Sequence, residues 1–181
     1  MGTLWLHQQV VKTLSESALS GQPDEICGLL SGPSTQITQV IPIHNIAANP
    51  QQRFEMDPEE FVRAMVSLER SGQRLLGIYH SHPKSAPIPS LTDVRYAAYP
   101  DTPYIIIGLH GGKVQLAAWR IGRDKQVDKL NLHIGLQPPS DISESALSPA
   151  QKTAIIGSLL IAFALIIMIS LALLPPAPPI P

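Results

Sequence analysis

Apolar and polar positions alternate along this chain with two periods, and the switches between them outline a mixed fold. From Leu4 to Leu19 the apolar residues Leu4, Leu6, Val10, Val11, Leu14 and Leu19 fit one face of an amphipathic helix that ends near Gly21. The run Glu25–Gly32 is short, apolar and stopped by Gly32-Pro33, which reads as a buried strand. Thr35–Asn45 alternates and is rich in β-branched residues, so it predicts the next strand after a turn at residues 32–34. Arg53–Asp57 is a short extended piece. Asp57 then stands as N-cap with Pro58 at the first helical position, and the helix carries Phe61, Met65 and Leu68 on one face before Gly72. Arg74–Tyr79 predicts a buried strand running into His80. Ser90–Ala98 opens with a capping serine and predicts a short helix. Tyr104–Leu109 is a central strand, His110–Lys113 a hairpin turn, Val114–Ile121 its return and Val127–Ile134 a final strand. The expected fold class is therefore α/β: an α+β or three-layer arrangement with one mixed sheet and flanking helices, over residues 1–135.

The pattern changes abruptly after that. Residues 136–152 are polar and rich in Pro and Ser, as a linker is. Ala154–Leu174 reads AIIGSLLIAFALIIMISLALL, 21 residues without charge or proline. At about 1.5 Å per residue it reaches roughly 31 Å, a hydrocarbon core's thickness. A helix apolar on every face needs cover on every face, and so small a domain does not supply it. We therefore expect a transmembrane helix over residues 153–175 and a short Pro-rich tail over 176–181. Lys152, on the N-terminal side, places the catalytic or binding domain on the cytoplasmic side of the membrane.

Composition narrows the function classes. The chain has 181 residues and a formal net charge of −1, so nothing marks a nucleic-acid binder. Its one cysteine, Cys27, rules out an intramolecular disulfide and reads as a small buried hydrophobe.

The candidate chemistry lies in HSHPKSAPIPSLTD, residues 80–93. Residues i and i+2 of a strand face the same way, so His80 and His82 at a strand end present two imidazoles to one side, a natural clip for a divalent metal. Asp93, eleven residues beyond His82, falls in the first turn of the predicted helix, and the intervening loop is long enough to fold its carboxylate back. A His2Asp set leaves a fourth position open, the layout of a catalytic zinc. Pro83, Pro87 and Pro89 stiffen that loop. Ser90 is placed to donate to a developing oxyanion. It is also the helix N-cap, and the two roles coexist only in part. Glu25, an acidic residue leading into an apolar strand, is the candidate general base. The plainer readings are surface histidines at a strand end and an aspartate favoured by the helix dipole. Ser81 points away from the histidines and is structural. His7, His44, His110 and His133 have no partner at ligand spacing.

Glu25, then His80-Ser81-His82-Pro83, then Ser90-x-x-Asp93 resembles the JAMM (MPN-plus) metalloprotease signature, E with H-[ST]-H-P and H-x-H-x7-S-x-x-D, and matches it at every position. The flanks EICGLLSG and RFEMDPEEF are similar too, and the resemblance covers about residues 5–133. It implies a mixed sheet in layers like those of cytidine deaminases. It also implies one zinc on His80, His82 and Asp93, with Glu25 as general acid/base and Ser90 as oxyanion donor. Such enzymes hydrolyse isopeptide or peptide bonds at the C-terminus of ubiquitin-like proteins. The compact prokaryotic type acts on proteins resembling sulfur carriers. The expected partners are thus a ubiquitin-like or other protein substrate and a membrane, and no nucleic acid. Two rival readings are a non-catalytic scaffold of the same fold that recruits partners to the membrane, and a relative of the DNA-repair-associated type. The intact ligand set argues against the scaffold. Near-neutral charge and the Glu25 motif argue against the repair type.

Overall fold

In the computed structural model the chain opens with a strand where a helix was expected. The structure describes residues 3–33, 35–100 and 102–135, together with residues 158, 163 and 165–168. Strand β1 (Thr3–His7) comes first and helix α1 (Gln8–Ser20) follows. Leu4, Trp5 and Leu6 are consecutive and all buried, because β1 is covered on both faces, and such a strand reads as a run rather than an alternation. The Leu4/Leu6 spacing belongs to this strand. The helical period begins at Val10 and Leu14, behind His7, whose Nδ1 caps the helix by accepting from the Gln9 N–H at 3.2 Å.

The remaining elements are β2 (Cys27–Gly32), β3 (Gln36–Ile37), β4 (Gln39–Ile43), α2 (Pro58–Arg70), β5 (Arg74–His82), α3 (Leu91–Tyr96), β6 (Pro103–Gly108), β7 (Gln115–Ile121) and β8 (Val127–Gly135). The predicted strand over 35–45 is thus divided in two. The expected hairpin turn is a short 3-10 turn, His110–Gly112, with Gly111 and Gly112 both at positive φ. Asp57 and Pro58 begin α2 as expected, the Asp57 carboxylate accepting from the Glu59 and Glu60 N–H groups at 2.9 Å.

The eight strands form one mixed sheet in the order β3-β1-β8-β7-β6-β5-β2-β4. β5 lies inside it, two strands from the β4 edge, antiparallel to β2 and parallel to β6. Only Thr38 separates β3 from β4, and its N–H donates to the Ser31 carbonyl of β2. One segment therefore lines both edges, and the sheet curls until they meet. Gly32 permits the close approach, since a Cβ there would lie 1.7 Å from the Gln36 carbonyl oxygen.

Side-chain alternation on this sheet builds two cores. One joins Leu6, Val10, Leu14 and Ala18 to Leu30, Tyr79, Ile105 and Ile107. The other joins Leu29, Ile78 and Tyr104 to Phe61, Ala64 and Met65 of α2 and Val94 of α3. Helix α1 thus covers one face while α2 and α3 cover the other, giving three layers. Each large apolar side chain fully removed from water contributes on the order of 1.5–3 kcal/mol.

The chain divides into two compact units, residues 1–139 and 140–181. The expected linker and tail lie outside the described residues, as does most of the expected membrane segment. Its described positions, Ser158, Phe163 and residues 165–168, are helical and exposed. Among the described residues, no helix is long and apolar enough to cross a membrane.

Candidate active site

Strand β5 delivers the two histidines. Tyr79 and Ser81 face α1, where the Ser81 hydroxyl oxygen accepts from the Ile26 N–H at 2.9 Å, a structural role as expected. Ile78, His80 and His82 face the other way. Both imidazoles are buried, His80 completely. Their Nε2 atoms approach to 3.1 Å. The Asp93 carboxylate closes the triangle, with Oδ2 at 3.2 Å from His82 Nε2 and Oδ1 at 3.5 Å from His80 Nε2.

Asp93 reaches this position because α3 begins where it does. Ser90 and Asp93 form a capping box: the Ser90 oxygen accepts from the Asp93 N–H at 3.1 Å, and Asp93 Oδ2 accepts from the Ser90 N–H at 2.7 Å. The cap uses a lone pair of the Ser90 hydroxyl and leaves its hydrogen free to donate. The two roles expected of Ser90 therefore do not compete.

The donor set fits a tetrahedral metal. Bonds of about 2.0–2.1 Å to nitrogen and oxygen set ligand–ligand edges near 3.3 Å; the Nε2–Nε2 edge here is 3.1 Å, and the carboxylate approaches His82 through Oδ2 at 3.2 Å and His80 through Oδ1 at 3.5 Å. His82 Nδ1 lies 3.2 Å from the Ala86 carbonyl, which can only accept. In the neutral ring Nδ1 therefore carries the hydrogen and Nε2 is left with a lone pair for a metal, whereas without metal the ring takes up a second hydrogen, at Nε2, and donates it to Asp93. Among the described residues, His80, His82 and Asp93 are the group whose ligand atoms converge, all within 4.8 Å. None of His7, His44, His110 or His133 joins it.

The site's electrostatics follow from burial and mutual charge. Burial lowers the His80 pKa more than Asp93 raises it. Burial also opposes charge on His82, but its hydrogen bond and charge pairing with Asp93 prevail and its pKa is raised. Burial alone would raise Asp93, yet hydrogen bonds from both histidines hold it well below the usual carboxylate range. Glu25 behaves oppositely. Burial, with Asp93 adding and His82 opposing, pushes its carboxyl up to about 7. Its backbone is fixed by N–H donation to the Pro50 carbonyl at 2.7 Å and by the Asn45 amide, which donates to the Glu25 carbonyl at 2.8 Å. Its Oε2 is buried and, among the described residues, has no hydrogen-bond partner. A buried polar atom in that condition suits a polar ligand beside the metal site. Cys27 is buried, its thiol pushed up to about 12 chiefly by burial, and it is inert, as expected.

Four supporting residues were not singled out from the sequence. Phe54 stacks on His80, with centroids 4.4 Å apart and planes inclined 21°. Asn45 uses its whole side chain: Nδ2 donates to the Glu25 and Arg53 carbonyls, and Oδ1 accepts from the Ala47 and Glu55 N–H groups. Trp119 Nε1 donates to the Pro87 carbonyl at 2.8 Å, fastening the proline loop. Gly108 lies under that loop, where a Cβ would come within 2.6 Å of Pro87. These roles depend on residues distant in sequence and carry no local signal.

Comparison with known proteins agrees with this geometry. Residues 7–122 match the family of prokaryotic homologs of the JAB domain. The desampylase of Haloferax volcanii is 41% identical over 98 residues, covering 53% of this chain and 70% of that protein. A probable TtuB-protein conjugate cleaving protease of Thermus thermophilus is 34% identical over 108 residues, covering 60% and 72%. A solution structure of a protein from Desulfitobacterium hafniense superposes with a TM-score of 0.66 at 30% identity, covering 73% of this chain and 92% of that one. With the family matched over most of the folded region, this chain belongs to the prokaryotic JAB-domain proteins and is a compact member of the JAMM/MPN metalloprotease family.

Proposed function

We propose that this protein is a zinc-dependent peptidase that hydrolyses isopeptide or peptide bonds at the C-terminus of ubiquitin-like or sulfur-carrier-like proteins. The observation carrying this reading is the convergence of two neutral-capable imidazole nitrogens and a carboxylate within 4.8 Å of one another, next to a buried glutamic acid with a near-neutral pKa. A relative named for cleaving TtuB–protein conjugates supports a protein conjugate as substrate.

His80, His82 and Asp93 would hold the zinc. When bound, it supplies Lewis acidity, lowering the pKa of water and polarising a carbonyl. The chain's own groups supply the rest. The Glu25 carboxyl, pushed up to about 7 without metal, ionises more readily beside a bound cation, so its carboxylate takes a proton from the attacking water and returns it to the leaving amine. The free Ser90 hydroxyl hydrogen donates to the substrate carbonyl oxygen as negative charge grows there. Asp93, with its depressed pKa, stays ionised throughout. Phe54 and the Ala86 carbonyl hold the two rings in place.

We also read residues 153–175 as a membrane anchor with the catalytic unit on the cytoplasmic side. The sequence carries this reading. The described residues there, Ser158, Phe163 and residues 165–168, are helical and exposed, and all but Ser158 are apolar, which supports it. If a fragment of residues 1–150 restored every phenotype of a deletion strain, the anchor would have no role.

The deciding experiment measures zinc per mole in the purified chain beside His82→Ala and Glu25→Gln. We expect one zinc in the wild type and in Glu25→Gln, little in His82→Ala, and cleavage of a ubiquitin-like conjugate by the wild type alone. A correctly folded wild type that holds no zinc after incubation with it would end the peptidase reading.

A further inference from the structure

Strand β2 begins at Cys27, so Glu25 lies outside the sheet ladder and is held by other means. One residue on, Ile26 is pegged to the strand of the metal ligands. Its N–H donates to Ser81 Oγ at 2.9 Å, and its carbonyl accepts from the Ser81 N–H at 3.0 Å. Glu25 itself is held by the segment between β4 and α2. That segment doubles back on itself. Asn45 bridges Met56, the Ile46 N–H donates to the Glu55 carbonyl and the Asp57 N–H donates to the His44 carbonyl. The His44 N–H, donating to the Glu60 carboxylate at 2.7 Å, ties its base to α2.

The Asn45 side chain crosses this fold. A primary amide has two N–H donors and two acceptor lone pairs, and Asn45 uses all four on backbone groups. None is left for a substrate, so Asn45 acts only through what it holds. On one side that is the Glu25 carbonyl, at 2.8 Å. On the other it is the Arg53 carbonyl at 3.2 Å and the Glu55 N–H at 2.9 Å. Those two groups flank Phe54, whose ring lies on His80. The base and the ring over a metal ligand thus hang on one side chain. A misplacement of about 1 Å in a reacting group costs about 10²-fold in rate.

We propose that Asn45 is a positioning residue for the reaction, its amide clamping the Glu25 backbone to the Arg53–Glu55 segment so that the base stands in register with the metal ligands; this rests on the peptidase reading above. The test is a double-mutant cycle in the full-length protein. The probe is a ubiquitin-like protein carrying a fluorescent amine at its C-terminus. Asn45→Ala should lower kcat about 10- to 100-fold, with KM within about twofold and one zinc per mole still bound. Added to Glu25→Gln, the same change should alter kcat less than about twofold, because the group it positions is gone. Asn45→Asp keeps the acceptor oxygen for the Ala47 and Glu55 N–H groups and lacks both donors. It should fold as the wild type does and lose kcat as Asn45→Ala does. Hydrogen exchange of the metal-free proteins gives a readout without turnover: the Glu25 amide should exchange at least about tenfold faster in both variants, while those of Leu29 and Ile105 keep their protection. An equal loss of kcat with and without Glu25 would make Asn45 a purely structural residue and overturn the proposal. Full activity in Asn45→Asp, or an unchanged Glu25 amide, would overturn it with the peptidase left standing. A wild type that holds no zinc and cleaves nothing would fell the peptidase reading, and the positioning role with it, even where the exchange data show the clamp.

Discussion

Strand β5 has two faces, and they are built by opposite rules. Toward α1 it presents Tyr79 and Ser81, packed among aliphatic side chains, with the serine oxygen hydrogen-bonded. Toward α2 and α3 it presents Ile78, His80 and His82, with the carboxyls of Glu25 and Asp93 drawn in beside them. The first face gains from burial. The second gathers four titratable groups where burial opposes charge, and it leaves Glu25 Oε2 without a partner among the described residues. Stability and function are thus divided across one layer of backbone, and substitutions on the two faces should have separable consequences.

Glu25→Gln should show the largest effect. Loss of the general base should lower kcat by about 10²- to 10⁴-fold while zinc stays bound. The same change should stabilise the metal-free protein. The Glu25 pKa is raised from 4.5 to about 7, so the native state holds this proton more tightly than the unfolded chain does. Its contribution is complete below about 4.5 and is lost as pH rises through about 7. At pH 8 the buried carboxylate costs on the order of 3 kcal/mol. Denaturant melts of metal-free wild type and Glu25→Gln at pH 4.5 and 8 check this. The variant should gain at pH 8 alone, and a gain of equal size at both values would mean that Glu25 titrates normally.

Ser90 sharpens the comparison because it serves both structure and chemistry. Ser90→Ala should cost about 1 kcal/mol for the lost cap and about 10²-fold in kcat for the lost donor. Ser90→Asp restores an acceptor for the Asp93 N–H but has no hydroxyl hydrogen. It should recover helix stability without recovering rate. A variant that regained both would reduce Ser90 to a cap.

On the opposite face, Leu14→Ala removes a fully buried side chain of α1. The expected loss is about 2–5 kcal/mol in stability. Zinc content and kcat, measured well below the lowered Tm, should match the wild type. If zinc affinity fell in step with stability, the two faces would be coupled through β5 rather than divided by it.

How much of this was legible before any coordinates depended on distance along the chain. The ligands lie within fourteen consecutive residues, where strand alternation and a helix cap fix geometry locally, so His80, His82, Ser90 and Asp93 could be read together. Glu25 stood out because a charge leading an apolar strand conflicts with its surroundings. The N-terminal strand reads as helix because Leu4 and Leu6 satisfy a helical face as well as a strand, and only pairing with β8 and β3 decides between them. Asn45 and Phe54 were invisible for a related reason. An asparagine that stitches four backbone groups, and a ring lying on His80, take their meaning from partners that the fold brings to them.

The smallest expected effect concerns Trp119, on β7, two strands from the histidines. Its indole N–H holds the Pro87 carbonyl, and the preceding carbonyl, Ala86, orients His82 through Nδ1. Trp119→Phe keeps an aromatic ring but removes the indole N–H and some ring volume, the lost hydrogen bond alone costing about 1 kcal/mol. A freed loop would let the Ala86 carbonyl wander, and His82 would lose the partner that fixes its tautomer. Outer partners of this kind are worth about 10- to 100-fold in metal affinity when removed outright. Here the partner is only loosened, so the lower end of that range is expected. Competition with a chelating zinc indicator would read it directly. Unchanged affinity would mean that the three prolines and the close seat over Gly108 hold the loop without help, and that the division between the two faces begins at β6 rather than at β7.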